Sequence, residues 1–215
     1  MMNFLLTFIL GLFLTGSSRP VNELRCTALS PLNQFSTVWN EPKYDAANSA
    51  CTVTYMSAAE KEVINIINLA WMDPSLFEST VISQYPAFVH KAELKNSSYY
   101  RSLIVSMKKL QPLNILLPNT FCFKSALCHA QTSGKAGYVG HERITPDCKK
   151  ASFFFGECIS YGYDEPIDIV MSLLIDEDIP SLGHRKNLLG NYKSAAVSIQ
   201  PHTTYRYNTV IDLAY

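Results

Sequence analysis

Residues 173–189, read in order as Leu173-Leu174-Ile175-Asp176-Glu177-Asp178-Ile179-Pro180-Ser181-Leu182-Gly183-His184-Arg185-Lys186-Asn187-Leu188-Leu189, concentrate side chains that handle protons or metal ions. Two shorter echoes lie upstream, Gly140-His141-Glu142-Arg143 and Gly156-Glu157-Cys158. Gathered on one cleft, His141, Glu157, Asp176 and His184 supply two imidazoles and two carboxylates. That donor set suits Zn²⁺ or another divalent cation, and with only two His ligands plus water the site stays open for exchange or catalysis. The same four residues can instead form His–carboxylate hydrogen bonds that stiffen the cleft without metal. Sequence alone leaves both readings open.

Three uses of such a cleft follow. A binding module would hold a small apolar ligand, a lipid or a protein. A metal-dependent hydrolase or peptidase would use the catalytic candidates Glu157, as base, and His184. No His-Glu-x-x-His stretch supports it. A serine hydrolase would use Ser181 beside His184, but no Gly-x-Ser-x-Gly elbow is present and Pro180-Ser181-Leu182-Gly183 reads as a turn. Arg185 and Lys186 add positive charge at the cleft mouth and read as a solvated turn.

The elements that must position these residues are legible in part. Ser57-Ala58-Ala59-Glu60 is a capping box, with Val63, Ile66, Ile67 and Ala70 on one helical face. Asp73-Pro74 opens a second helix that Pro86 is expected to stop. Ser97 and Ser98 open a third, and Asn119 to Lys135 a fourth, closed by Gly134 and Gly137. His129 on that helix reads as a packed boundary residue. Phe153 to Ser160 is a strand by aromatic content. Asp164-Glu165-Pro166 opens a fifth helix whose last turn carries Asp176, where an acid opposes the macrodipole. Strands at Ala195 to Pro201 and Tyr205 to Ala214 close the chain, with the turn at Thr203-Thr204. Helices first, then strands framing a helix, predict an α+β fold with helices packed on a mainly antiparallel sheet.

Charge and composition bound the function. The 18 basic and 18 acidic residues cancel, which gives no field for nucleic acid or an anionic membrane. Residues 1–18 are uncharged with an apolar run too short to span a membrane, and read as a signal peptide. Residues 19–55 are broken by Pro20, Pro31 and Pro42 and read as an extended arm. A secreted or cell-surface location turns the six cysteines into disulfide candidates with 15 connectivities. Cys122 and Cys128 face different ways on one helix and are not expected to pair. Cys148 with Cys158 is one pairing that would staple the loop between them. Asn96-Ser97-Ser98 matches a glycosylation acceptor and also serves as a helix cap.

In order along the chain, Cys128-His129-Ala130, Gly140-His141, Gly156-Glu157, Leu174-Ile175-Asp176, Gly183-His184-Arg185-Lys186-Asn187-Leu188 and Val210-Ile211-Asp212-Leu213-Ala214 resemble the CAP superfamily, the cysteine-rich secretory, antigen 5 and pathogenesis-related proteins, and within it the secreted bacterial type. The resemblance covers residues 56–215. It implies an α-β-α sandwich with a central, mainly antiparallel sheet. It also implies a cleft with two His and acidic partners that in some members binds zinc or another divalent cation. His141 and His184 match the two His, Glu157 the Glu of the family's Gly-Glu-Asn, and Asp176 stands near a second acid. Cys158 departs from the pattern, standing where the family has Asn. The resemblance implies a binding module more than an enzyme.

Overall fold

The computed structural model describes residues 29–150 and 154–215, with the backbone alone at 154 and 155. The expected signal peptide, residues 19–28 of the arm and Cys26 lie outside the described residues. Seven α-helices and a four-stranded sheet follow in order among them: α1 (Ala58–Met72), α2 (Pro74–Leu76), α3 (Ser83–Phe88), α4 (Ser98–Lys109), β1 (Leu117–Pro118), α5 (Thr120–Ala136), β2 (Phe154–Tyr161), α6 (Pro166–Ile175), α7 (Gly183–Leu188), β3 (Ser194–His202) and β4 (Arg206–Ala214). The fold is α+β, with helices flanking the sheet.

From residue 29 the chain is not an extended arm. It winds through two 3-10 turns, Thr37–Asn40 and Pro42–Ala47, and contributes Leu32, Phe35, Trp39 and Tyr44 to the main core. The hydrogen bonds are specific. Trp39 Nε1 donates to Thr80 Oγ1 at 3.1 Å, and Tyr44 OH donates to Asp73 at 2.9 Å. Asn68, fully buried in α1, donates to the Ala47 and Leu116 carbonyls and accepts from the Leu116 amide. Proline-rich sequence signals turns, and here the aromatic residues between the turns decide the outcome by burying against α1 and the helices after it.

The capping box forms as its sequence requires: Ser57 Oγ accepts from the Glu60 amide and Glu60 Oε2 from the Ser57 amide, at 3.3 and 2.7 Å. Glu60 Oε1 also accepts the Ile199 amide of β3 at 2.9 Å, so one carboxylate closes a helix start and covers a strand edge. Asp73 caps α2 through the Leu76 amide. A π-helical turn at Phe77–Ile82 then joins α2 to α3. Pro86 does not stop this helix; it lies inside α3, in the first turn after the π turn shifts the hydrogen-bond register, where proline is tolerated. Asn119 caps α5, and Gly137, with φ +67°, ends it in the left-handed conformation that glycine adopts without penalty.

The strand order is β1-β3-β4-β2, with β1 parallel to β3 and the other pairs antiparallel. The short β1, two residues long, carries no periodic signal in the sequence. Alternation divides the sheet into two faces. Cys158, Val197, Ile211 and Leu213 join the main core with α1 and α6. Ile159 and Val210 face Ala126 and Ala130 of α5 in a small second cluster. The rest of the α5 face is polar: Ser125, His129, Ser133, Glu157, Asn208 and Asp212 are all buried.

Cys148 pairs with Cys128, with Cα atoms 5.6 Å apart, and not with Cys158. Strand alternation explains the difference. It puts Cys158 on the face opposite Glu157, inside the core, with its thiol 3.5 Å from the His184 carbonyl. Cys122 and Cys158 carry free, buried thiols, while Cys51 is disulfide-bonded. Burial pushes the Cys122 thiol up to about 12 and raises that of Cys158 as well, so both are inert as nucleophiles at neutral pH.

Candidate functional site

The four residues singled out in the sequence converge at the outer edge of β2. Glu157 lies on that edge strand, just after a register irregularity between Phe154 and Gly156. His141 comes from the loop after α5, Asp176 from the residue that ends α6, and His184 from the first turn of α7. The imidazoles of His141 and His184 lie with centroids 6.1 Å apart and planes inclined by 32°. They line an open cleft of about 430 Å³ with Ser181, Asn187 and Ile179.

Each imidazole is held from behind by a carboxylate. His141 Nδ1 donates to Glu157 Oε1 at 2.7 Å, and His184 Nδ1 donates to Asp176 Oδ1 at 2.8 Å. No described residue hydrogen-bonds either Nε2. His141 is about half exposed, at 48 %, and His184 at 20 %, whereas Glu157 and Asp176 are buried beneath them. The acids therefore orient the rings and fix the tautomer that leaves Nε2 open, the arrangement found behind metal-ligating histidines.

Local structure explains why these positions hold. Gly140 has φ +136°, and a Cβ there would stand 2.8 Å from the Tyr138 hydroxyl. Its amide donates to the Tyr161 hydroxyl and its carbonyl accepts from His129 Nε2, both at 2.9 Å. His129 is thus a buried anchor for the residue before His141. Asp176 ends α6 at φ +56°, and its carboxylate does not bear on that helix's C-terminus. Oδ2 instead accepts the His184 and Arg185 amides at the start of α7, at 3.1 and 3.2 Å. The unfavourable placement expected from the macrodipole becomes a favourable one, because the turn aims the acid at the next helix's free amides.

Arg185 is not part of a solvated turn. It is 3 % exposed, and its guanidinium donates to the carbonyls of Leu174, Ile175 and Tyr99 and to Ser102 Oγ at 2.6–2.8 Å. Lys186 is exposed, as a solvated residue would be. Ser181 lines the cleft, but no hydrogen bond joins it to His184.

Three residues that the sequence did not single out complete the site. Asn187 Nδ2 donates to the Glu157 carbonyl at 3.0 Å, tying α7 to β2. Arg143 Nη2 makes a 2.6 Å ion pair with Glu157 Oε2. Asp212 stands opposite Glu157 in the β2–β4 register, fully buried, with Arg143 3.9 Å away. The only signal for them was position within the motifs: Arg143 two residues after His141, Asn187 three after His184, and Asp212 in the closing strand.

Burial pushes the Glu157 carboxyl up, but the hydrogen bond from His141 and the Arg143 guanidinium outweigh it and hold the group at about 2. Asp212 goes the other way. Burial first, then the neighbouring Glu157 charge, raises it well above the carboxylate range. Neither of its oxygens accepts an aligned hydrogen bond, although the Ser125 hydroxyl stands beside it. The folded chain therefore binds this proton more tightly than the unfolded chain does. Its contribution to stability is fully present below an unfolded aspartate pKa of about 3.9 and is lost as pH rises toward the raised folded value. Asp212→Asn, which fixes the neutral form, is expected to match the parent near pH 3.5 and to exceed it at pH 7 by more than ~1 kcal/mol. Urea titrations at the two pH values check this.

As a fit for a divalent cation, the residues offer two imidazole nitrogens. A tetrahedral ion bound to both at about 2 Å sets their centroids about 5 Å apart, within about an ångström of the 6.1 Å separation. Among the described residues no cluster of three or more His, Cys, Asp or Glu forms a metal-binding group. Water or a ligand atom would have to fill the other positions.

Fold and site together define an α+β protein with two carboxylate-backed imidazoles at the edge of its sheet. Comparison of the chain with protein-family models, with curated proteins and with solved structures gives no match.

Proposed function

We propose that this protein is a secreted binding module of the CAP type. Its cleft presents the Nε2 atoms of His141 and His184 to a divalent cation such as Zn²⁺ and to the polar head of a small ligand, a lipid or a partner protein. The observation that carries this reading is the pair of short Nδ1–carboxylate bonds, which orient both rings with the same nitrogen toward the cleft. When bound, the cation would act as a Lewis acid that attracts an oxygen or nitrogen of the ligand. Glu157 and Asp176 serve as supports behind the rings, so the chain's own direct contribution is two ligands. Such a site exchanges its ion readily. Among the described residues no helix is long and apolar enough to cross a membrane, and the disulfides are in keeping with an oxidising compartment.

The alternative is a metal-dependent hydrolase or peptidase using the same cleft. The Asp176–His184 pair favours it, because a carboxylate on Nδ1 with Nε2 open is how a general base is prepared. Against it, Glu157 is spent in an ion pair and is a weak base with its pKa near 2.

Calorimetric zinc titration tests the proposal, with the oxidised protein set beside the His141→Ala/His184→Ala double variant. The expected result is micromolar binding, about −8 kcal/mol, that the double variant abolishes. Equal binding by both proteins, or by neither, overturns the reading. Turnover of a peptide or ester substrate that His184→Ala removes would transfer the site to the hydrolase class.

A further inference from the structure

We infer that Arg143 is a positioning residue for the His141 imidazole, acting through Glu157 to hold that half of the cleft in register. The inference rests on the reading of the cleft as an imidazole site. It assigns the cleft a support that neither the His nor the acid motifs reveal.

The two halves of the cleft are built differently. Asp176 is fixed by backbone. Its Oδ2 accepts two successive amides of α7, so its Oδ1 meets His184 without help from another side chain. Glu157 has no such backbone partner for its carboxylate. Its Oε1 accepts from His141 and its Oε2 faces Arg143 Nη2 at 2.6 Å. His141 sits on a loop and is about half exposed, so packing alone does not orient it.

Arg143 closes a ring around this pair. Nη1 donates to the His141 carbonyl and Nη2 to Ser125 Oγ of α5, both at 3.2 Å. The guanidinium thus grips the backbone of His141 while it steadies the carboxylate that holds the His141 side chain. Only a planar, multidentate cation can make these contacts together; a lysine ammonium can hold one or two. The surroundings give Glu157 somewhere else to go. Asp212 lies across the strand pair with both oxygens lacking an aligned partner; His129 Nδ1, Arg143 Nε and Glu157 Oε2 are likewise buried without one, so Arg143 holds Oε2 by charge. With the guanidinium removed, the Glu157 carboxylate is expected to turn toward Asp212 and release His141.

The test uses the whole oxidised protein and reads the Nδ1–H protons of the two His–carboxylate pairs by low-field ¹H NMR, with His141→Gln and His184→Gln assigning the lines. In Arg143→Met the His141 line is expected to vanish while the His184 line persists. Arg143→Lys should show it weakened. Zinc affinity should fall about tenfold in Arg143→Met, the scale of losing a support behind a ligand. If Arg143→Met does not fold, Arg143→Lys carries the same measurement. Persistence of an unchanged His141 line in the folded variants overturns the inference. Absence of zinc binding by the parent protein would overturn the metal reading alone, because the proton lines report on positioning without metal.

Discussion

Replacing Arg185 with methionine is expected to lower the midpoint of thermal unfolding by roughly 10 °C, which corresponds to ~4 kcal/mol for a chain of this size. The side chain is buried, and its four hydrogen bonds run to acceptors on α6 and α4. Leu174 and Ile175 are the last residues of α6, whose helix ends at the left-handed Asp176. Their carbonyls have no further helical amide to accept from, and the guanidinium takes that place. Methionine would fill much of the volume and leave the Leu174 and Ile175 carbonyls without a donor, while the Tyr99 carbonyl keeps the Ser102 hydroxyl; two buried carbonyls so exposed cost several kcal/mol. Arg185→Lys should recover only part of it, since an ammonium cannot span α6 and α4 at once. Differential scanning calorimetry of the two variants decides between this account and a surface role. A shift below about 2 °C in Arg185→Met would fit a solvated turn.

Asp176→Ala is expected to be the second large effect, a loss of about 3–4 kcal/mol in chemical denaturation. Three donors converge on this buried carboxylate: the His184 imidazole and the amides of His184 and Arg185. Alanine would leave two amides of α7 without an acceptor. It would also hold a left-handed φ of +56° that alanine adopts poorly. Asp176→Asn separates these contributions. Asparagine tolerates the backbone and keeps one oxygen, so most of the stability should return. If the cleft binds zinc as proposed, its affinity would stay reduced, because a neutral amide supports the His184 ring less strongly than a carboxylate does. A variant in which asparagine is as destabilising as alanine would contradict this division.

The helices were legible wherever a local device sets them. The Ser57–Glu60 box, the Asp73 and Asn119 caps and the Gly137 terminator involve residues a few positions apart, and their physics is contained in the sequence. His141, Glu157, Asp176 and His184 could be grouped because imidazoles and acids in Gly-bounded motifs stand out, and the structure brings all four together. What escaped notice depends on partners remote in sequence. Arg185 looked solvated because its carbonyl acceptors carry no side-chain signature. Asp212 looked like part of a closing strand because only the β2–β4 register puts it across from Glu157. Residues 29–55 read as extended from their prolines, since the sites that bury Trp39 and Tyr44 lie on helices that come later. The Cys128–Cys148 pairing likewise depends on where the loop after α5 returns.

That disulfide has a consequence for when the cleft can exist. It ties the middle of α5 to a point 20 residues on, and both His141 and Arg143 lie inside the closed segment. Such a closure removes about 3 kcal/mol of unfolded-chain freedom, and it does so for one wall only. The wall bearing Asp176 and His184 lies outside the loop that this disulfide closes; it is held by α6, α7, the Arg185 guanidinium and the Cys158 thiol on the His184 carbonyl. A chain folded under reducing conditions would keep that wall and hold the other loosely, with a single imidazole in place. The competent cleft is thus a two-key assembly: one key turns with folding of the helices, the other with oxidation of the thiols. Its readiness to bind would record the chemical surroundings in which the chain matured.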